Sequence, residues 1–158
     1  MVCALAISGC KKKPKSGSGM GGDGSGVIAT SIDDDAMGER MGGGMEQAGL
    51  FSAVYFDYDS AQINPAERSK LDGVADHLNQ NSAQGLTVEG HCDERGSNEY
   101  NLSLGERRAL AVRAYLVGLG IDGARIQTKS YGEERPVAIG HDESSWSQNR
   151  RAEFVIVQ

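Results

Sequence analysis

The chain has 158 residues, 22 of them glycine, and a net charge of −6 at pH 7. That length suits one domain of ordinary size with additional segments. The acidic balance speaks against a nucleic-acid partner, which calls for a basic face, and no run of 18 or more apolar residues is present to cross a bilayer as a helix.

Residues 1–10 read MVCALAISGC, an apolar run from Val2 to Ile7, then small residues, then Cys10. A short apolar run closed by small residues has the form of the end of a secretory signal. Ile7-Ser8-Gly9-Cys10 resembles the bacterial lipobox, which implies that Cys10 becomes the first mature residue and carries acyl chains. Several chains anchor durably where one does not, at about 0.8 kcal/mol per buried CH₂. The basic run Lys11-Lys12-Lys13-Pro14-Lys15 would sit beside anionic head groups. By the sorting pattern of such lipoproteins, Lys11 after the cysteine implies the outer membrane. The apolar run is shorter than a usual signal core and no basic stretch precedes it, so the start of the signal is expected upstream. Cys3 would leave with the signal, and Cys92 would remain alone, so no disulfide framework is expected.

Residues 11–49 are expected to be a flexible, Gly-rich linker. Half of the 22 glycines lie between 16 and 49, with the acidic run Asp33-Asp34-Asp35 and few large apolar side chains beyond Val27, Ile28 and Ile32. Such a segment cannot bury enough surface to offset its ordering entropy. As a Gly-rich coil, residues 11–48 would average roughly 35 Å end to end, and at full extension they would reach at most roughly 130 Å. The folded domain is then expected over 50–158, large enough for one core.

Within it, residues 52–60 (SAVYFDYDS) alternate and are aromatic and β-branched, which predicts a strand. Asn64, Pro65 and Glu67 predict a helix start with a capping-box-like pair. Leu71, Val74, Ala75 and Leu78 follow as one apolar stripe. Residues 85–91 (GLTVEGH) predict a second strand with Leu86 and Val88 on one face and Thr87, Glu89 and His91 on the other. A loop then leads to a long helix from about Glu99 to Val117, with Ala109, Val112, Leu116 and Leu119 as its buried stripe and Gly118 and Gly120 closing it. Residues 124–132 and 150–157 predict two more strands, with a short helical turn near Asp142–Gln148 between them. The order strand, helix, strand, helix, strand, strand predicts an α+β fold, a mixed four-stranded sheet with helices on one face. The strands flanking the long helix should pair in parallel.

The densest chemistry is GHCDERGSNEYNLSLGERRA, residues 90–109. Asn101, Leu104 and Arg108 share one stripe of the long helix, and Asp93 can fold back beside it from the preceding loop. A carboxylate and a guanidinium there suit a zwitterion, the first taking an ammonium and the second a carboxylate in bidentate fashion. The same spacing also suits a structural Asp93–Arg108 salt bridge, and spacing alone leaves both open.

These residues resemble the signature of the OmpA-like peptidoglycan-binding domain family, G-H-x-D-x-x-G followed by N-x-x-L-[SG]-x-x-R-A, and every position matches. VYFDYDS, SYGEERP and NRRAEFVI match as well, so the resemblance spans residues 50–158. It implies a βαβαββ domain in which Asp93 and Arg108 hold the charged end of diaminopimelate in a peptidoglycan stem peptide. Asp57, Asn101, Leu104 and Arg150 (Arg151 being the adjacent candidate) match positions lining that pocket. Cys92 stands where the family has a small Ala or Thr, and Ser97 replaces Thr. Lipobox, linker and binding domain in that order is the arrangement of the family's peptidoglycan-associated lipoproteins. It implies an outer-membrane anchor tethered to the cell wall, with a TolB-like β-propeller protein as a second, competing partner.

An enzyme is the rival expectation. His91-Cys92-Asp93-Glu94 clusters possible ligands, but neighbours in an extended segment point to opposite faces, and zinc sites prefer spacings such as C-x₂-C. His77 and His141 are the other histidines, neither placed to activate a serine. Neither a metal, a cofactor nor a catalytic set is therefore expected from the linear pattern.

Overall fold

The computed structural model describes residues 46–158. Cys10, the lipobox-like stretch and most of the segment read as linker lie outside the described residues. The described chain forms β1 (Glu46–Ala48), β2 (Val54–Tyr55), α1 (Arg68–Gln80), β3 (Gly85–His91), α2 (Asn98–Gly118), β4 (Ile126–Gly132), α3 (Glu143–Asn149) and β5 (Arg151–Val157). A 3₁₀ turn over Pro65–Glu67 leads into α1.

The sheet runs β1-β5-β3-β4, with β2 also on β5. β3 and β4 are parallel, as expected for strands joined by a helix, and the other pairings are antiparallel. The α+β expectation therefore holds, with two corrections to the first lane. It begins at Glu46, inside the 11–49 segment, because Glu46–Ala48 pairs with Val155–Val157. The strand expected over 52–60 shrinks to Val54–Tyr55, because the backbone beyond it bonds elsewhere. Phe56 donates to the Arg150 carbonyl, Ser60 to that of Asp57 in a turn, and Asp59 sits at φ 52°.

Leu71, Val74, Ala75 and Leu78 of α1 are all buried, as are Ala109, Val112 and Leu116 of α2. They pack with Leu86, Val88, Ile126, Ala152, Phe154 and Ile156 of the sheet into one core. Both helices thus cover the same face. Leu119, expected on that stripe, lies past the helix end and is 43 % exposed; Ile121 takes the inward place. Asn64 does cap the first turn through Ala66 N. Glu67, however, does not complete a capping box; its carboxylate takes Tyr55 N (2.9 Å) and Lys70 Nζ (2.7 Å), fastening β2 to the helix entry.

Helix α2 lies very close to the sheet. A Cβ on Gly90 would stand 2.0 Å from the Gly105 carbonyl oxygen, and one on Gly105 would stand 2.3 Å from Ser130 Oγ. Two facing glycines let the helix backbone lie directly on β3, which brings the first turns of α2 to the strand's C-terminal end.

Candidate functional site

At that end, Asp93, Asn101, Leu104, Arg108 and Arg150 line one cavity of about 120 Å³ with Tyr58, Asp59, Cys92, Arg95, Gly96 and Tyr100. Five of the six expected residues are thus brought together. Asp57 is the exception. It lines a neighbouring cleft with Glu67 and Arg150, and meets the site only through its carbonyl, which accepts from Arg108 Nη2 (3.2 Å). Between the adjacent arginines, Arg150 turns to the cavity, whereas Arg151 pairs with Glu153 on the other face of the sheet (2.5 Å).

Arg108 is fully buried. Its guanidinium donates to the carbonyls of Ser60 (2.9 Å), His91 (2.7 Å) and Asp57. Three of its five N–H donors are therefore committed to backbone, so it presents a fixed positive charge with little free fork. Burial pulls its pKa down, yet a guanidinium stays charged at neutral pH. A bidentate grip by Arg108 is accordingly not preformed.

Nor does Asp93 pair with Arg108. Its Oδ1 accepts from Arg95 N (3.0 Å) and Nε (3.2 Å), and its Oδ2 from Arg95 Nη2 (2.6 Å) and Arg150 Nη1 (3.3 Å). Burial alone would raise the Asp93 carboxyl; the hydrogen bonds from Arg95 and Arg150 outweigh it and hold the group below the usual carboxylate range. The structural salt bridge considered for Asp93–Arg108 is replaced by an Arg95–Asp93–Arg150 arrangement.

Arg95 was not anticipated. Its guanidinium lies between two rings, 4.0 Å from the Tyr58 centroid and 4.1 Å from that of Trp146. Such stacking holds a planar cation well. Its position two residues after Asp93 was readable; that it folds back on its neighbour depends on the loop, where Gly96 at φ 124° packs against Asn101. Asn101 in turn bonds the Asp93 carbonyl (3.2 Å) and Glu133 (2.6 Å), bracing the loop from the helix. Tyr100 and Asp59 close the far side through a hydrogen bond. Burial pushes the Cys92 thiol up; it donates to the Asn101 carbonyl (3.2 Å) and is no thiolate. The lining carries Arg95, Arg108 and Arg150 against Asp59 and Asp93. It offers a cationic floor with an acidic rim, suited to holding a small charged group.

Residues 55–150 match the model of the OmpA family. The chain belongs to the OmpA family. Within it, the chain is 44 % identical to the peptidoglycan-associated lipoprotein of Pseudomonas aeruginosa, over 98 % of this chain and 92 % of that one. It is 42 % identical to that of Rhizobium meliloti, over 99 % and 84 %. The crystal structure of the peptidoglycan-associated lipoprotein from Burkholderia pseudomallei superposes with a TM-score of 0.64 at 45 % identity, covering 66 % of this chain and 88 % of that one. The C-terminal domain of Helicobacter pylori MotB shares the fold at 20 % identity, with a TM-score of 0.63. In this OmpA-family domain the signature residues from Gly90 to Ala109 are thus the strand end, loop and first helical turns that build the cavity.

Proposed function

We propose that this chain is an outer-membrane lipoprotein that binds peptidoglycan non-covalently and tethers the membrane to the wall. The ligand is the free ammonium-and-carboxylate end of diaminopimelate in a stem peptide. The observation that carries this reading is the meeting of Asp93, Arg108 and Arg150 in one cavity, about the size of an amino-acid head group. The ammonium goes to Asp93, replacing Arg95 there. The carboxylate goes to the remaining donors of Arg108 and the charge of Arg150. Charge-assisted bonds of this kind contribute roughly 1.5–3 kcal/mol each. The curated relatives' names and the N-terminal Cys10 pattern support the anchor.

The cavity favours holding over cutting. Its thiol is kept protonated, and the His91 ring stacks on Tyr131 on the opposite face of the sheet, so among the described lining residues no imidazole is placed to activate that thiol. A Tol-Pal-type role in envelope integrity and cell division, with a TolB-like β-propeller as partner, extends the same reading. It draws on the adjoining cleft of Glu94, Glu133 and the 97 %-exposed Ile139, a surface beside the cavity for a protein to cover.

The test is an NMR titration with a diaminopimelate-containing stem tripeptide and its lysine counterpart, on wild type and Asp93→Asn. The amide and side-chain signals of Asp93, Asn101 and Arg108 should move with the first peptide only. Asp93→Asn should weaken it at least about tenfold with the thermal transition preserved, as expected for a lost charge-assisted bond. Equal affinity for both peptides would refute the charge readout.

A further inference from the structure

Glu89, His91 and Glu153 meet on the sheet face turned away from α1 and α2. Glu89 and His91 are two apart on β3 and so point the same way. Glu153 lies directly opposite Glu89 on β5. One donor atom from each of the three lies within 4.8 Å of the others.

The two glutamates face each other across the ladder, where like charges repel, an effect that the Arg151–Glu153 ion pair offsets in part. His91, 1 % exposed, has neither ring nitrogen in a hydrogen bond. Buried side-chain nitrogens are paired in the large majority of folded proteins, and an orphaned one calls for a water or an ion. The surroundings engage all three side chains. The His91 ring stacks on Tyr131 (centroids 5.4 Å apart, planes at 16°). Tyr131 O–H reaches Glu89 Oε1 (3.4 Å), and Arg151 Nε donates to Glu153 Oε1 (2.5 Å). The hydrogen bonds engage one oxygen of each carboxylate, as outer groups at a metal centre do, while the His91 ring is oriented by stacking alone. An imidazole of ordinary pKa is mostly neutral at pH 7 and offers a lone pair.

We propose that Glu89, His91 and Glu153 bind one divalent transition-metal ion of the Zn²⁺ class, joining β3 to β5 on the outer face of the sheet. One imidazole nitrogen with two carboxylate oxygens is a zinc-type donor set and not an all-oxygen calcium or magnesium set. Two carboxylates neutralise the ion, and the fourth position takes water. Bonds of about 2.0–2.2 Å require the donors to draw together from their present spread, which rotation about the flexible glutamate side chains supplies. Arg151, Arg135 and Lys129 also face the cluster. Their charge weakens the site.

The test uses the full chain, stripped with a chelator, and ZnCl₂ as the probe. Two readouts are followed: the ring ¹H–¹³C signals of the three histidines, and the thermal transition. One equivalent of zinc should move the His91 signals and raise the Tm. A Glu89→Gln/Glu153→Gln variant gives up the Glu153–Arg151 ion pair, so its Tm should start lower, but it should still fold and lose both responses. CaCl₂ should leave both unchanged. Unmoved His91 signals at excess zinc would overturn the proposal. So would responses that survive in the double variant, or that centre on His141 beside Glu94 with His91 still.

Discussion

Arg95 and Asp93 show how one side chain can set another's availability. The guanidinium bonds both oxygens of the carboxylate while stacked between Tyr58 and Trp146, so on the proposed function an incoming ammonium would compete with it. Arg95 is partly exposed, so its hold is discounted for solvent to about 1 kcal/mol. Arg95→Ala is therefore expected to tighten diaminopimelate binding roughly fivefold in calorimetry, with no such gain in an Asp93→Asn background. Weaker binding by Arg95→Ala would place Arg95 on the ligand instead. A second residue-scale contact, His141 Nδ1 to Glu94 Oε1 at 2.6 Å, is open to solvent. The Glu94 carboxylate raises the His141 pKa, and the hydrogen bonds from His141 and Trp146 lower that of Glu94. The charged pair therefore persists between the two shifted values and is lost as pH rises through that of His141. An NMR titration should give His141 a midpoint above the ordinary 6.5, returning to it in Glu94→Gln.

Among the elements, the crossing of α2 over β3 controls the site. Gly90→Ala drives a methyl into the Gly105 carbonyl, backbone against backbone, and is expected to cost about 3 kcal/mol or more in denaturant unfolding. Gly105→Ala meets mainly Ser130 Oγ, so Ser130→Ala should recover part of its loss, with a coupling of at least about 0.5 kcal/mol in the double-mutant cycle. Additive losses would show that the helix simply lifts. Helix α1 and strand β3 were legible because their apolar periods are regular. Leu71 to Leu78 and the alternation of 85–91 name their own faces. Residues 52–60 have the composition of a strand, but the carbonyls of Asp57 and Ser60 serve Arg108 and Asp59 turns the chain, neither of which a local pattern records. Glu46–Ala48 was hidden for the opposite reason, a polar edge strand held by backbone bonds to β5. Of the site, the spacing of Asp93, Asn101, Leu104 and Arg108 was readable along one segment. The capture of Asp93 by Arg95, and the convergence of Glu89 and His91 with Glu153, arise from folding across distant residues.

For the molecule as a whole, the sheet's direction matters. Glu46 pairs with Val157, and so does Gly85 at the start of β3, whereas Gly90 pairs with Ala152 near the cavity. The chain from the N-terminal side therefore joins the domain at the end of the sheet remote from the site, with β3, roughly 20 Å long, between them. If Cys10 is moored in a membrane and the cavity grips the wall, any pull between the two runs along the strands. The ladder bonds lie across that line. They are sheared together and not unzipped one by one, so the joint resists hardest in the direction in which swelling of the envelope would strain it.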